Sequence, residues 1–141
     1  MSTFAYDSFL DDVFKGNIRS SDTYYVMLVS SAYPPDQALH TKRADVTGEI
    51  GGAGYTQGGR QVNPSFAKDA GSHVMRITFP AVAWPNSSLT ARYAVYYKRR
   101  GGSASLDELV AVDDFGDNIT TDAGTFLKGV TTITINTPAS A

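Results

Sequence analysis

The sequence predicts an all-β fold: a two-layer sandwich of jelly-roll or Greek-key type, with about eight strands and one short N-terminal helix. Three observations predict it. Val, Ile, Thr, Tyr, Phe and Trp make up 47 of the 141 residues, while Leu, Glu, Gln and Lys supply only 17. β-Branched and aromatic side chains fit a pleated surface, whereas straight-chain ones favour helices. There are 12 Asp against 2 Glu, and Asp favours caps and turns where Glu favours helix interiors. Thirteen Gly and six Pro punctuate the chain at the short intervals that a series of strands requires. A length of 141 residues suits one domain with its own core, residues 1–141, in which 1–22 form an N-terminal helix or arm.

Residues 4–15 carry the helical pattern. Asp7 or Ser8 can cap it, Phe9, Leu10, Val13 and Phe14 form an apolar stripe, and Gly16 suits the C-terminal stop. Thr23–Ser31 is continuously apolar at its centre, as in a strand buried on both faces, and Tyr33-Pro34-Pro35-Asp36 follows it as a break. Ala38–Val46 reads as an irregular helical turn, and Gly48–Gly59, with six of the thirteen glycines, as a loop or bulged edge. Weak strand character at Arg60–Phe66 gives way to clean alternation at His73–Phe79. Val82–Trp84 precedes a turn at Pro85-Asn86-Ser87-Ser88, and Ala91–Lys98 alternates again. Leu106–Val112, Thr125–Leu127 and Val130–Ile135 complete the strands.

Composition removes several function classes. The net charge is −2 with 12 basic and 14 acidic residues, without the basic excess of a general polyanion binder, so no direct nucleic-acid contact is expected. The chain has no Cys, hence no thiol nucleophile and no thiolate metal site. The longest apolar run, Tyr24 to Val29, is far short of the ~20 residues that span a bilayer, so no membrane partner is expected. The N-terminus shows no basic n-region followed by an apolar h-region.

The motifs with chemical associations read as structural. The run Gly51–Gly59 continues into Arg60-Gln61-Val62 rather than a helix and has no Lys-Ser/Thr pair, so it is a loop and not a phosphate cradle. Asp114-Phe115-Gly116 spells the kinase magnesium motif in a chain too short for two lobes. Asp113, Asp114 and Asp117 lack the spacing of a calcium loop and read as a turn with solvated carboxylates. His40 and His73, the only histidines, have no GxSxG or HExxH context and default to hydrogen-bonded structural roles. Asn86-Ser87-Ser88 and Asn118-Ile119-Thr120 match the glycosylation sequon and read as turn residues. No catalytic residue, metal or cofactor is expected.

Charge segregation carries more information. Arg92, Lys98, Arg99 and Arg100 place four positive charges in nine residues, and residues 101–127 then hold six acids and no base. The pattern describes either two solvated loops or opposite patches that steer a dimer or head-to-tail contact. Tyr96, on the same strand face as Arg92, adds an aromatic suited to an interface or a sugar platform. Phe4, Tyr6 and Phe9 describe either a docking arm or a helix covering the open end of the sandwich. The candidate interface is therefore Phe4, Tyr6, Phe9, Arg92, Tyr96, Lys98, Arg99 and Arg100.

Several segments taken in order have a familial look: Val26-Met27-Leu28-Val29, Tyr33-Pro34-Pro35-Asp36, His40, Asp45–Ile50, Gly54–Gly59, Val82–Arg92 and Ala94–Lys98. Their order and spacing resemble a family of small structural proteins of tailed bacteriophages, over roughly Val26 to Gly116, and within it the jelly-roll capsid decoration, or cement, proteins. Lys98-Arg99-Arg100 and the N-terminal segment depart from that pattern. The resemblance implies a non-enzymatic virion protein, made in the bacterial host cytoplasm and placed on the outer capsid surface. Its implied partners are the major capsid protein and copies of itself as a dimer or trimer. A tail or head-tail connector component is the alternative within the virion. A carbohydrate-binding module using Tyr96, Trp84 or Tyr55 as stacking platforms is the alternative outside it.

Overall fold

The apolar run at residues 24–29 becomes a strand at the heart of the molecule, and the rest of the fold covers its two faces. The computed structural model describes residues 2–137. Its strands are β1 (Ser2–Ala5), β2 (Tyr24–Val29), β3 (Arg60–Val62), β4 (Ser65–Asp69), β5 (Val74–Phe79), β6 (Val82–Ser87), β7 (Thr90–Lys98), β8 (Leu109–Thr120), β9 (Gly124–Lys128) and β10 (Thr131–Asn136). One α-helix, α1 (Asp7–Phe14), lies between β1 and β2. All strand pairs are antiparallel. A five-stranded sheet has the order β1-β8-β7-β2-β3, a three-stranded sheet the order β10-β5-β4, and β6 pairs with β9.

Alternation along the central strands divides the interior in two. Val26 and Leu28, with Ala94 and Tyr96, meet Phe79, Trp84, Phe126 and Ile133 from the smaller sheets in the main sandwich core. Met27 and Val29, with Val95 and Tyr97, point to the other face, where Tyr6, Tyr33, Leu109 and Val112 form a second core. The five-stranded sheet is thus covered on both sides. This accounts for an antiparallel strand reading as an unbroken apolar run instead of an alternating one. The fold is all-β and sandwich-like, as the composition predicts.

Among the described residues ten strands form where about eight are predicted, and several run past their predicted bounds. Ser2–Ala5 pairs with β8 as an edge strand, so the N-terminal segment begins as strand and turns helical only at Asp7. The expected strand at 60–66 splits into β3 and β4 around Pro64, which cannot donate to a ladder. The turn expected at Pro85–Ser88 lies largely inside β6, where the register shifts between Trp84 and Ser87 and Asn86 adopts φ 51°. β8 runs on through Asp113–Asp117, where a turn is expected, with two register shifts against β7. Such bulges add residues to one strand without ending it.

Helix α1 is capped by extended Tyr6 with no side-chain cap, so neither Asp7 nor Ser8 takes that role, and Gly16 at φ 79° follows its end. Its expected apolar stripe divides. Phe9 is buried, while Leu10 and Val13 are each 40% exposed and Phe14 is 87% exposed. Among the described residues, no helix is long and apolar enough to cross a membrane.

Candidate functional site

The charges that look segregated in the sequence meet inside the chain, because β7 and β8 are antiparallel neighbours. Arg92 on β7 pairs with Asp114 on β8 through Nε, at 2.7 Å. Arg100, just past β7, holds Glu108 with two hydrogen bonds of 2.8 Å. Lys42 approaches the same Glu108 at 3.5 Å, and Arg43 binds Asp107 at 2.8 Å. Lys98 turns instead to Asp22, at 2.9 Å. Two of the four basic residues, Arg92 and Arg100, thus pair with the acidic stretch that follows them, as side chains across an antiparallel strand pair do. Of the four basic residues, only Arg99 has no carboxylate partner among the described residues; its guanidinium lies 4.5 Å over the Tyr25 ring.

These contacts hold several carboxyls below their ordinary values. Arg92 does so for Asp114, and the Thr41 and Lys42 backbone N–H groups for Asp45. Ser72 and Arg76 hold Asp69 at about 2. Burial pushes Glu108 upward, but the Arg100 hydrogen bonds and the Lys42 charge together outweigh it and the net direction is down. A carboxyl depressed in the folded state contributes stability above its unfolded value, and that stability is lost as pH falls through the folded value. Stability is therefore expected to decline below the ordinary values of 4.5 for Glu108 and 3.8 for the aspartates, on down to about 2 at Asp69. Thermal unfolding followed between about pH 6 and pH 3 checks this, and a flat profile over that range contradicts it.

Asp113 is not a solvated turn residue. It is fully buried, and so is Lys128 at the end of β9, with Nζ and Oδ2 2.6 Å apart. Lys128 Nζ also donates to the Gly129 carbonyl at 2.8 Å and to Thr131 Oγ1 at 2.7 Å. Thr131 donates in turn to Asp113 Oδ2, and Thr3 on β1 donates to Oδ1 at 2.5 Å. Every donor of the ammonium and both carboxylate oxygens have partners, the condition under which a charge pair survives burial. The centre joins strands from three sheets: β8 supplies Asp113, β1 Thr3, β9 Lys128 and β10 Thr131.

The remaining motifs have defined places in the fold. Tyr97 donates to the Gly58 carbonyl at 2.5 Å, while the Gly58 N–H and Tyr55 hydroxyl both donate to Glu49, so the glycine loop is tied to the sheet. His40 stacks on Tyr33 and takes a hydrogen bond at Nδ1 from the Asp36 N–H, with the Tyr33 hydroxyl 2.8 Å from the same nitrogen. Burial lifts Tyr33 to about 12. His73 sits in a turn at φ 56°. Among the described residues, no group of three or more His, Asp or Glu side chains is placed to hold a metal ion.

Of the candidate interface residues, Tyr6, Phe9 and Tyr96 are core side chains, at 1%, 2% and 0% exposure, and Lys98 is buried against Asp22. They face inward because the sheet carrying Tyr96 and Lys98 is covered on both sides and Tyr6 closes the second core. Trp84 is equally buried and Tyr55 half-buried, so the proposed sugar platforms are not presented as open aromatic faces. Arg92 is half-buried in its ion pair, and Arg99 and Arg100 are exposed.

Phe4 is half-buried at the rim of a groove of about 470 Å³, between β1 and the start of α1 on one side and β10 on the other. Leu10 lines the same groove, and exposed Val13 and Phe14, three and four residues further along α1, share its helix face. β1 ends the five-stranded sheet and β10 ends the three-stranded one, so the groove marks a seam between two sheet edges. A second apolar surface surrounds the β9–β10 turn, where Leu127, Val130 and Ile119 are 66%, 58% and 44% exposed beside a groove of about 260 Å³ that Phe115 and Leu127 help to line. The helical stripe in the sequence identified α1's apolar residues; which of them turn outward depends on long-range packing. Comparison with protein-family models, curated proteins and solved structures finds no match to this chain.

Proposed function

We propose that this chain is a structural protein of a tailed-bacteriophage virion, a decoration protein that seats the α1 face and its adjoining seam on the outer head shell. The observation that supports this most directly is Phe14, 87% exposed and next to half-exposed Leu10 and Val13. Large apolar side chains clustered on one helix face beside a groove mark interaction surfaces more often than isolated ones do. The sequence resemblance supplies the identity of the partner, the major capsid protein. The second surface, at Leu127 and Val130, serves contact with another copy of the chain. On this reading the work is mechanical: each copy adds buried area at a subunit boundary, and ~800 Å² per partner repeated over a closed shell stabilises it through avidity.

The Phe14→Ser substitution is expected to weaken binding to expanded, undecorated heads about tenfold or more, as loss of an aromatic anchor does. Its unfolding midpoint is expected to stay at the wild-type value, because the side chain is already in solvent. Unchanged head binding by the Phe14→Ser, Leu10→Ser double variant overturns the assignment of this face.

A further inference from the structure

We propose that Lys128 and Asp113 condense into an intramolecular amide, a covalent cross-link between β9 and β8. The geometry that points to it is the buried centre itself. An amine nitrogen lies 2.6 Å from a carboxylate oxygen with both side chains out of water, at 1% and 0% exposure. Neither group can rotate away to solvent, so the two reactants are held at a high effective concentration. Water, which favours hydrolysis over amide formation, is kept from the two reacting side chains by their burial.

The neighbouring hydroxyls supply the rest of the chemistry. Thr131 Oγ1 accepts from Lys128 Nζ at 2.7 Å and donates to Asp113 Oδ2. A proton passing from Nζ to Thr131, as the threonine's own proton passes to Oδ2, converts ammonium and carboxylate into amine and carboxylic acid. The Nζ lone pair then attacks Cγ, and charge develops on Oδ1, where the Thr3 hydroxyl already donates at 2.5 Å. A second proton moves from nitrogen to Oδ2, the Cγ–Oδ2 bond breaks, and one water leaves. The ammonium's three protons are accounted for: two depart in the water and one remains on the amide nitrogen. No oxidant, metal or cofactor enters the balance.

The bond would join β8 of the five-stranded sheet to β9 of the two-stranded one, so that separating these layers would require breaking a covalent link. Intact-mass spectrometry of the purified full chain tests the proposal without any variant. The expected result is a mass one water below the sequence value, with a proteolytic fragment in which Lys128 and Asp113 are joined. A mass equal to the sequence value, or a water loss that maps to any other side chain, overturns it. Thr131→Val, followed in time after a short pulse of cell-free synthesis, is expected to form the bond on the order of 100-fold more slowly, the effect of removing a positioned acid–base group. Cross-linking at the wild-type rate in that variant removes Thr131 from the mechanism, and Lys128→Arg sets the uncross-linked mass.

Discussion

Measured against the uncross-linked Lys128→Arg protein, in which the charge pair is kept, replacing Lys128 with methionine is expected to cost about 3–5 kcal/mol, the contribution of the charge apart from any cross-link. The reason is the fate of Asp113. With Nζ gone, a carboxylate at 0% exposure keeps only Thr3 and Thr131 as partners, and an unpaired buried charge costs far more than a surface one. Methionine fills much of the lysine's volume, so the loss reports the charge and not a cavity. The double variant Lys128→Met, Asp113→Leu is expected to recover a large part of the deficit, because an apolar pair of similar volume often matches a buried ion pair. Urea unfolding of the three proteins measures both effects. A Lys128→Met protein as stable as Lys128→Arg contradicts the charge assigned to the centre.

The second large effect is expected at Gly59, where alanine should cost about 2–5 kcal/mol. Gly59 has φ +84°, a conformation that costs an L side chain ~1–2 kcal/mol, and a Cβ there would overlap the Val26 carbonyl. Val26 is a fully buried residue of the central strand, paired with both β3 and β7. It cannot shift without disturbing the core on either side. Gly101, also at positive φ but with nothing within 4 Å of its would-be Cβ, provides the comparison: Gly101→Ala should show the conformational cost alone. Denaturant midpoints for the pair check this, and equal losses at the two positions contradict the role assigned to Val26.

How much of this was legible in the sequence varies with the range of the interactions. β2 could be read directly, because a six-residue apolar run states that both faces are covered. The helix pattern was legible as well, but not which side of it faces solvent, since Phe14 is left uncovered by strands distant in sequence. The stretch Asp113-Asp114-Phe115-Gly116-Asp117 carries every local mark of a turn, yet it remains strand. Its partners decide this: Arg92 neutralises Asp114 across the β7–β8 ladder, and Lys128 and Thr131 take Asp113 into the interior. None of those partners is a sequence neighbour, so no local propensity could reveal them. The charge blocks were visible, but not which of their members would pair. Arg92–Asp114 and Arg100–Glu108 form because β7 lies beside β8, and strand order does not follow from composition.

The seam at α1 and β10 is the surface proposed to meet the shell, and one measurement addresses it most directly. Purified protein is mixed with expanded, undecorated heads and, separately, with tails of the tailed phage proposed as its source, then co-sedimented and quantified by gel. The account predicts saturable binding to heads at a stoichiometry that scales with the shell subunits, lost in the Phe14→Ser, Leu10→Ser variant. Binding to tails alone, or to heads at only the copy number of a single ring, contradicts the decoration assignment and places the protein in the tail or connector. Binding to neither contradicts the virion role itself.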